Sequence, residues 1–193
     1  MSNNAAPSDP TSVLQLGDPV PDFALPDVTD GTTVRQEELV GDALVVMFLC
    51  SHCPFVRHVQ DRLAAVAREY SAKGAAFVAI GSNDPGRQPE DAPEGLAEQH
   101  RTVGFNFPYL FDETQQVAKD FGAACTPDFF VFDVKRRLAY RGRMDETRPD
   151  GGQPNGAELT AALDDVLAGR PVAGEQFPPM GCSIKWAPGN DPN

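Results

Sequence analysis

Positive charge is scarce in this chain. Sixteen lysines and arginines face 28 aspartates and glutamates among 193 residues, a formal net charge of −12. A phosphate backbone or an anionic lipid surface selects lysine and arginine patches, so the balance argues against nucleic-acid and membrane-surface partners. Long apolar runs are missing too: nothing approaches the roughly 18 consecutive apolar residues of a membrane span. The opening MSNNAAPSDPTS has no apolar core, so it does not read as a signal peptide, and a cytoplasmic location is expected. Cysteine is sparse, with Cys50, Cys53, Cys125 and Cys182 only, far too few for a disulfide-stapled scaffold. There are three histidines (His52, His58 and His100) and one tryptophan, Trp186. What remains is a chain with 41% hydrophobic and 23% charged residues, enough to bury one core. One domain over residues 13–186 is expected, with a disordered lead (1–12) and a flexible end (187–193).

Along the chain, LGDPVPDFAL (16–25) is extended but broken by prolines, and the Asp30-Gly31 turn signal leads to a second arm, giving a hairpin. ALVVMFLC (43–50) is a continuous apolar run suited to a strand buried on both faces. Phe55, Val59, Leu63, Val66 and Tyr70 then recur at spacings of three and four, a helix from about Ser51 to Ala72. AAFVAIG (75–81) completes a βαβ unit, whose strands are parallel with a right-handed crossover. NDPGRQPEDAPEG (83–95) reads as a surface loop or lid, followed by a helix around 94–103. Asp112-Glu113-Thr114-Gln115 has capping-box spacing and opens a helix to about Phe121. Residues 128–133 and 138–144 form an antiparallel hairpin across a basic turn, and a last helix spans 157–168. The expected order is therefore β-α-β, helix, β-β, helix.

Cys50 and Cys53 enclose Ser51-His52 where the first strand meets its helix. A helix N-terminus carries unpaired N–H groups and the positive end of the dipole, which stabilise a thiolate. Cys50 is expected at or just before that terminus, with Cys53 one turn on and within reach of a disulfide, and Pro54 in the first turn. Two ordinary buried thiols are one alternative reading. A metal pair is a stronger one, although tetrahedral zinc usually takes two such pairs or a pair plus spaced histidines. His52, between the thiols, would favour the thiolate and make the disulfide a better oxidant; Arg57 and His58 on the next turn would add positive potential.

This order, with Cys-x-x-Cys at the first strand-to-helix junction and Thr126-Pro127 just before the hairpin, resembles the thioredoxin fold. GDPVPDFAL (17–25), CSHCPFV (50–56), FPYLFDETQ (107–115), CTPDFFVFD (125–133) and GCSIKW (181–186) resemble the redoxin branch, the peroxiredoxin-like, alkyl hydroperoxide reductase and thiol-specific antioxidant-like proteins. The resemblance implies an α/β thioredoxin fold: a central mixed sheet with helices on both faces, an N-terminal hairpin and a C-terminal tail. It implies a thiol-disulfide oxidoreductase in which Cys50 attacks and Cys53 resolves. It also implies a cis-proline at Pro127, with Thr126 offering its backbone to an extended substrate. No cofactor or metal is called for; the partners would be a thiol or disulfide protein, or peroxide, with a thioredoxin or glutathione-type electron donor. The sequence also departs from these families. The peroxiredoxin pattern Pro-x-x-x-Thr/Ser-x-x-Cys is absent, Leu49 stands where thioredoxin has tryptophan, and Leu44–Leu49 hold no carboxylate, so proton transfer must use His52, water or an acid from elsewhere. A thiol peroxidase using the same cysteines, and a metal-binding or redox-sensing protein, stay open. Finally, the tail is expected to fold back over the sheet, pack Trp186, and bring Cys182 to Cys125 as a possible second redox pair.

Overall fold

The computed structural model describes residues 13–192; the expected disordered lead (1–12) and the final residue lie outside this range. Strand β1 (Ala24–Pro26) pairs antiparallel with β2 (Thr33–Arg35), the hairpin announced by Asp30-Gly31. β3 (Ala43–Phe48) lies at the centre of a five-stranded sheet. On one side it runs parallel to β4 (Ala75–Gly81), which is parallel to β5 (Tyr109–Phe111). On the other side it is antiparallel to β7 (Asp128–Phe132), followed by β8 (Leu138–Gly142). A separate two-residue ladder joins β6 (Cys125–Thr126) to β9 (Cys182–Ser183).

Alternation along β3 explains the layers. Ala43, Val45 and Met47 share one core with α1 (Pro54–Ser71), α2 (Pro93–Val103) and α4 (Ala157–Leu167). Leu44, Val46 and Phe48 face the other core, which contains Phe23, α3 (Gln116–Phe121) and the tail residues Ile184 and Trp186. The sheet is thus covered on both faces, as a fully apolar central strand requires. Among the described residues no helix is long and apolar enough to cross a membrane.

Three departures from expectation bear on function. β5 is an additional strand, hidden in FPYLFDETQ because only three of its residues pair. The helix expected from Ser51 begins at Pro54, with Cys53 in extended conformation as its N-cap. The tail buries Trp186 as expected but contains the unexpected strand β9, and the end expected to be flexible is tied down where Ala187 N–H and Asn190 Nδ2 donate to Gln115 Oε1 at 2.9 and 2.7 Å.

Candidate active site

Cys50 lies two residues beyond the end of β3, after Leu49, and Cys53 caps α1, so strand and helix present both sulfurs at one end of the sheet. The Thr126–Pro127 peptide bond is cis and brings Thr126 against them. Thr126 Oγ1 lies 3.1 Å from Cys50 Sγ, and its carbonyl oxygen lies 3.3 Å from Cys53 Sγ. Both cysteines are 0% exposed.

The surroundings do not treat the two thiols alike. Cys53, at the N-cap, is held well below the ordinary thiol range by hydrogen bonds from Cys50, from Cys182 and from the Val56 and Cys182 amides, against the cost of burial. The Thr126 carbonyl opposes them, since it accepts from a thiol and offers nothing to a thiolate. Cys50 is pushed well above that range by donating to Cys53, by burial and by the nearby Asp91 charge; only Thr126 Oγ1 works in the other direction. The surroundings thus favour the anion at Cys53 over Cys50.

Asp91 is a buried carboxylate beside the dithiol turn that no pattern in the sequence marked. It sits in a 3₁₀ turn (Pro89–Asp91) of the presumed surface loop, yet is only 1% exposed. Asp91 Oδ1 accepts from Ser51 N–H (2.7 Å), Ser51 Oγ (2.9 Å) and His52 N–H (3.2 Å). Its Oδ2 receives His52 Nδ1 and Asn83 Nδ2, the latter at 2.8 Å. The loop is thus clamped onto the Cys-Ser-His-Cys turn. His52 is directed at this carboxylate. Arg57 donates to the Ser51 carbonyl at 2.8 Å, and His58 Nε2 meets Thr147 Oγ1 at 2.9 Å. Among the described residues no guanidinium or ammonium group hydrogen-bonds to either dithiol sulfur.

Cys50, His52 and Asp91 place one possible ligand atom each within 4.8 Å of one another. The carboxylate there already accepts five hydrogen bonds, two of them from His52, so the trio is built as a half-buried histidine on a buried carboxylate beside a thiol.

Cys125 and Cys182 are close neighbours across a ladder, but their sulfurs are directed apart. The register pairs Thr126 with Cys182 and Cys125 with Ser183. Residues opposite one another share a face and adjacent ones do not, so Cys182 faces the dithiol with Thr126 while Cys125 faces away. Cys182 Sγ lies 2.8 Å from Cys53 Sγ, and Cys125 Sγ donates to the Pro127 carbonyl at 3.7 Å. The sulfur contact of Cys182 is thus Cys53 in place of the expected Cys125. Burial and the Asp128 charge push the Cys125 thiol up to about 12. Asp128 itself, fully buried beside Arg141 at 3.2 Å, is raised by burial to about 6.

Compared with known proteins, residues 16–141 match the AhpC/TSA family. The chain belongs to the AhpC/TSA family. This AhpC/TSA chain shares 51% identity with an uncharacterized conserved protein from Geobacillus kaustophilus of known structure, covering 91% of this chain and 94% of that one, with a TM-score of 0.88. It is 44% identical to a hypothetical protein from Sinorhizobium meliloti 1021, covering 92% and 98%, with a TM-score of 0.89. A putative thiol:disulfide interchange protein DsbE from Chlorobium tepidum is 25% identical, covering 78% and 99%, with a TM-score of 0.60. No curated protein matches. The AhpC/TSA chain is a thioredoxin-like redoxin, with the mixed sheet and flanking helices that the sequence resemblance implied.

Proposed function

We propose that the protein is a thiol-disulfide oxidoreductase in which Cys53 is the attacking thiolate. The supporting observation is that Cys53 sits at a helix N-cap with Cys182 Sγ at 2.8 Å, where its surroundings favour the anion. A thiolate is the nucleophile in disulfide exchange, so the group that is ionised and next to a second thiol is the one to begin the reaction. Attack on a disulfide RS–SR forms Cys53–S–S–R and expels RS⁻. A neighbouring thiolate then attacks Cys53 Sγ and expels the second RS⁻. The proton given up by the resolving thiol ends on one leaving group, and the other takes a proton from solvent equal to the one Cys53 released on ionising. Buried Asp91 and half-buried His52 lie within 4.8 Å of the Cys50 sulfur as candidate proton acceptors.

A thiol peroxidase would use the same ionised Cys53, forming a sulfenic acid on which an adjacent thiol condenses with loss of water. The flanking thiols favour this second reading; the lack of a cation hydrogen-bonded to either sulfur among the described residues favours the first. One preparation assayed against oxidised glutathione and hydrogen peroxide separates them. Faster turnover of the disulfide, lost in Cys53→Ser, supports the oxidoreductase; turnover of peroxide alone would replace it with the peroxidase.

A further inference from the structure

In a thioredoxin-like fold the strand edge before the cis-proline is where an extended partner would add by backbone pairing. Here the chain's own tail already occupies that edge. β9 pairs with β6 in antiparallel register, Thr126 opposite Cys182, and the ladder is extended by Ile184 N–H donating to the Ala124 carbonyl at 3.2 Å. Gly181 lies so close to the Thr126 carbonyl and Pro127 nitrogen that a Cβ there would overlap them. Downstream, Lys185 N–H donates to Asn83 Oδ1 at 2.8 Å, its carbonyl accepts from Asp84 N–H and Gln115 Nε2 at 2.8 and 2.9 Å, and Ile184 and Trp186 are buried in the second core. These contacts fix the strand, and the strand fixes Cys182 against Cys53 at 2.8 Å. The dithiol beneath is fully buried, whereas Cys182 is partly exposed.

We propose that β9 is an internal substrate strand and Cys182 a third redox residue, which resolves the mixed disulfide at Cys53 by forming a Cys53–Cys182 disulfide. This rests on the oxidoreductase reading above. The Cys182 thiolate attacks Cys53 Sγ, the Cys53–S–R bond breaks, and RS⁻ leaves with the proton that Cys182 gave up. Reduction by an incoming dithiol reverses the oxidation at a sulfur that solvent reaches, without opening the buried Cys50 site. Cys182 is better suited to this step than Cys50. Its sulfur meets Cys53 Sγ at 2.8 Å and is partly exposed. Burial and donation to Cys53 push its thiol up to about 11, against the nearby Lys185 ammonium, but it lacks the Asp91 charge that adds to the larger rise at Cys50. An extended protein substrate must displace β9 to reach Thr126, so small disulfides are the favoured class.

The test uses the full chain, reduced, then mixed with oxidised glutathione, acid-quenched, alkylated and digested without reduction for mass spectrometry. Wild type and Cys50→Ser should both yield a peptide pair linked through Cys53 and Cys182. In Cys182→Ser, release of the second glutathione should slow by at least about tenfold, because exchange rate follows the thiolate fraction of the attacking thiol. Gly181→Ala, which keeps all four cysteines but pushes β9 off Thr126, should slow the same step. Linkage of Cys50 to Cys53 alone in wild type, with a persistent glutathione adduct in Cys50→Ser, would overturn the third-thiol role and leave the oxidoreductase intact. No adduct and no linkage in any variant would overturn the oxidoreductase reading itself.

Discussion

Replacing Asp91 with asparagine tests the clamp that holds the Cys50–Cys53 turn. The carboxylate accepts five hydrogen bonds, three at Oδ1 and two at Oδ2. Asparagine keeps one acceptor oxygen. If that oxygen serves Ser51 and the His52 N–H, the new amide group points donors at the Asn83 amide and at His52 Nδ1. The two Oδ2 bonds are then lost, and Asn83 Nδ2, buried and previously paired, faces another donor. Hydrogen bonds to charged groups contribute about 1.5–3 kcal/mol each, so the loss should be about 3 kcal/mol or somewhat more. For a chain of this size that corresponds to a fall in Tm of about 6–12 °C. The same change removes the negative charge that disfavours a Cys50 thiolate, so the Cys50 pKa should fall. Scanning calorimetry of the reduced protein reads the first effect, and the pH dependence of Cys50 alkylation in a Cys53→Ser background reads the second. An unchanged Tm together with an unchanged Cys50 profile would show that Asp91 is not the clamp described.

Cys53→Ser should abolish disulfide exchange, whereas Cys50→Ser should retain the first step, attack and adduct formation, as counted by mass spectrometry. Alkylation of the reduced protein at neutral pH should label Cys53 first, with Cys50 and Cys125 last because both thiols are buried and held well above the ordinary range. The folded pKa of Cys53 lies below its unfolded value of about 8.5, so this group adds stability above that value and the increment disappears as pH falls through the depressed value; thermal melts of reduced wild type minus Cys53→Ser should show that slope. Thr126→Val removes the hydroxyl 3.1 Å from Cys50 while leaving the carbonyl beside Cys53, so it should raise the Cys50 pKa further at a stability cost of about 1 kcal/mol; equal shifts at both cysteines would contradict the separate contacts.

The elements readable from sequence were those with an internal period or a strong stop. β3 and β4 are unbroken apolar runs, α1 repeats at three and four, and the hairpin of β7 and β8 is marked by its basic turn. Chain order then placed Cys50 and Cys53 at a strand-to-helix junction, where the structure finds them. β5 escaped notice because three paired residues carry no periodicity. Asp91 escaped because a loop rich in proline, glycine and acid looks solvated; its burial is set by Ser51 and His52, some 40 positions earlier, and by Asn83. The later helix start depended on Cys53 taking the N-cap with Pro54 behind it, which no periodicity in the sequence marks. The partner of Cys182 depended on strand register. Tail and β6 do come together as expected, but with Thr126 opposite Cys182, alternation directs Cys182 to Cys53 and turns Cys125 away.

The most direct test of the central claim is a redox titration of the full chain in glutathione buffers, counting free thiols after acid quench in wild type and Cys53→Ser. The account predicts that wild type loses two thiols together in one reversible transition, and that Cys53→Ser shows no such paired transition. A wild type that keeps all its thiols across the range, or a Cys53→Ser variant that titrates as wild type does, would contradict it.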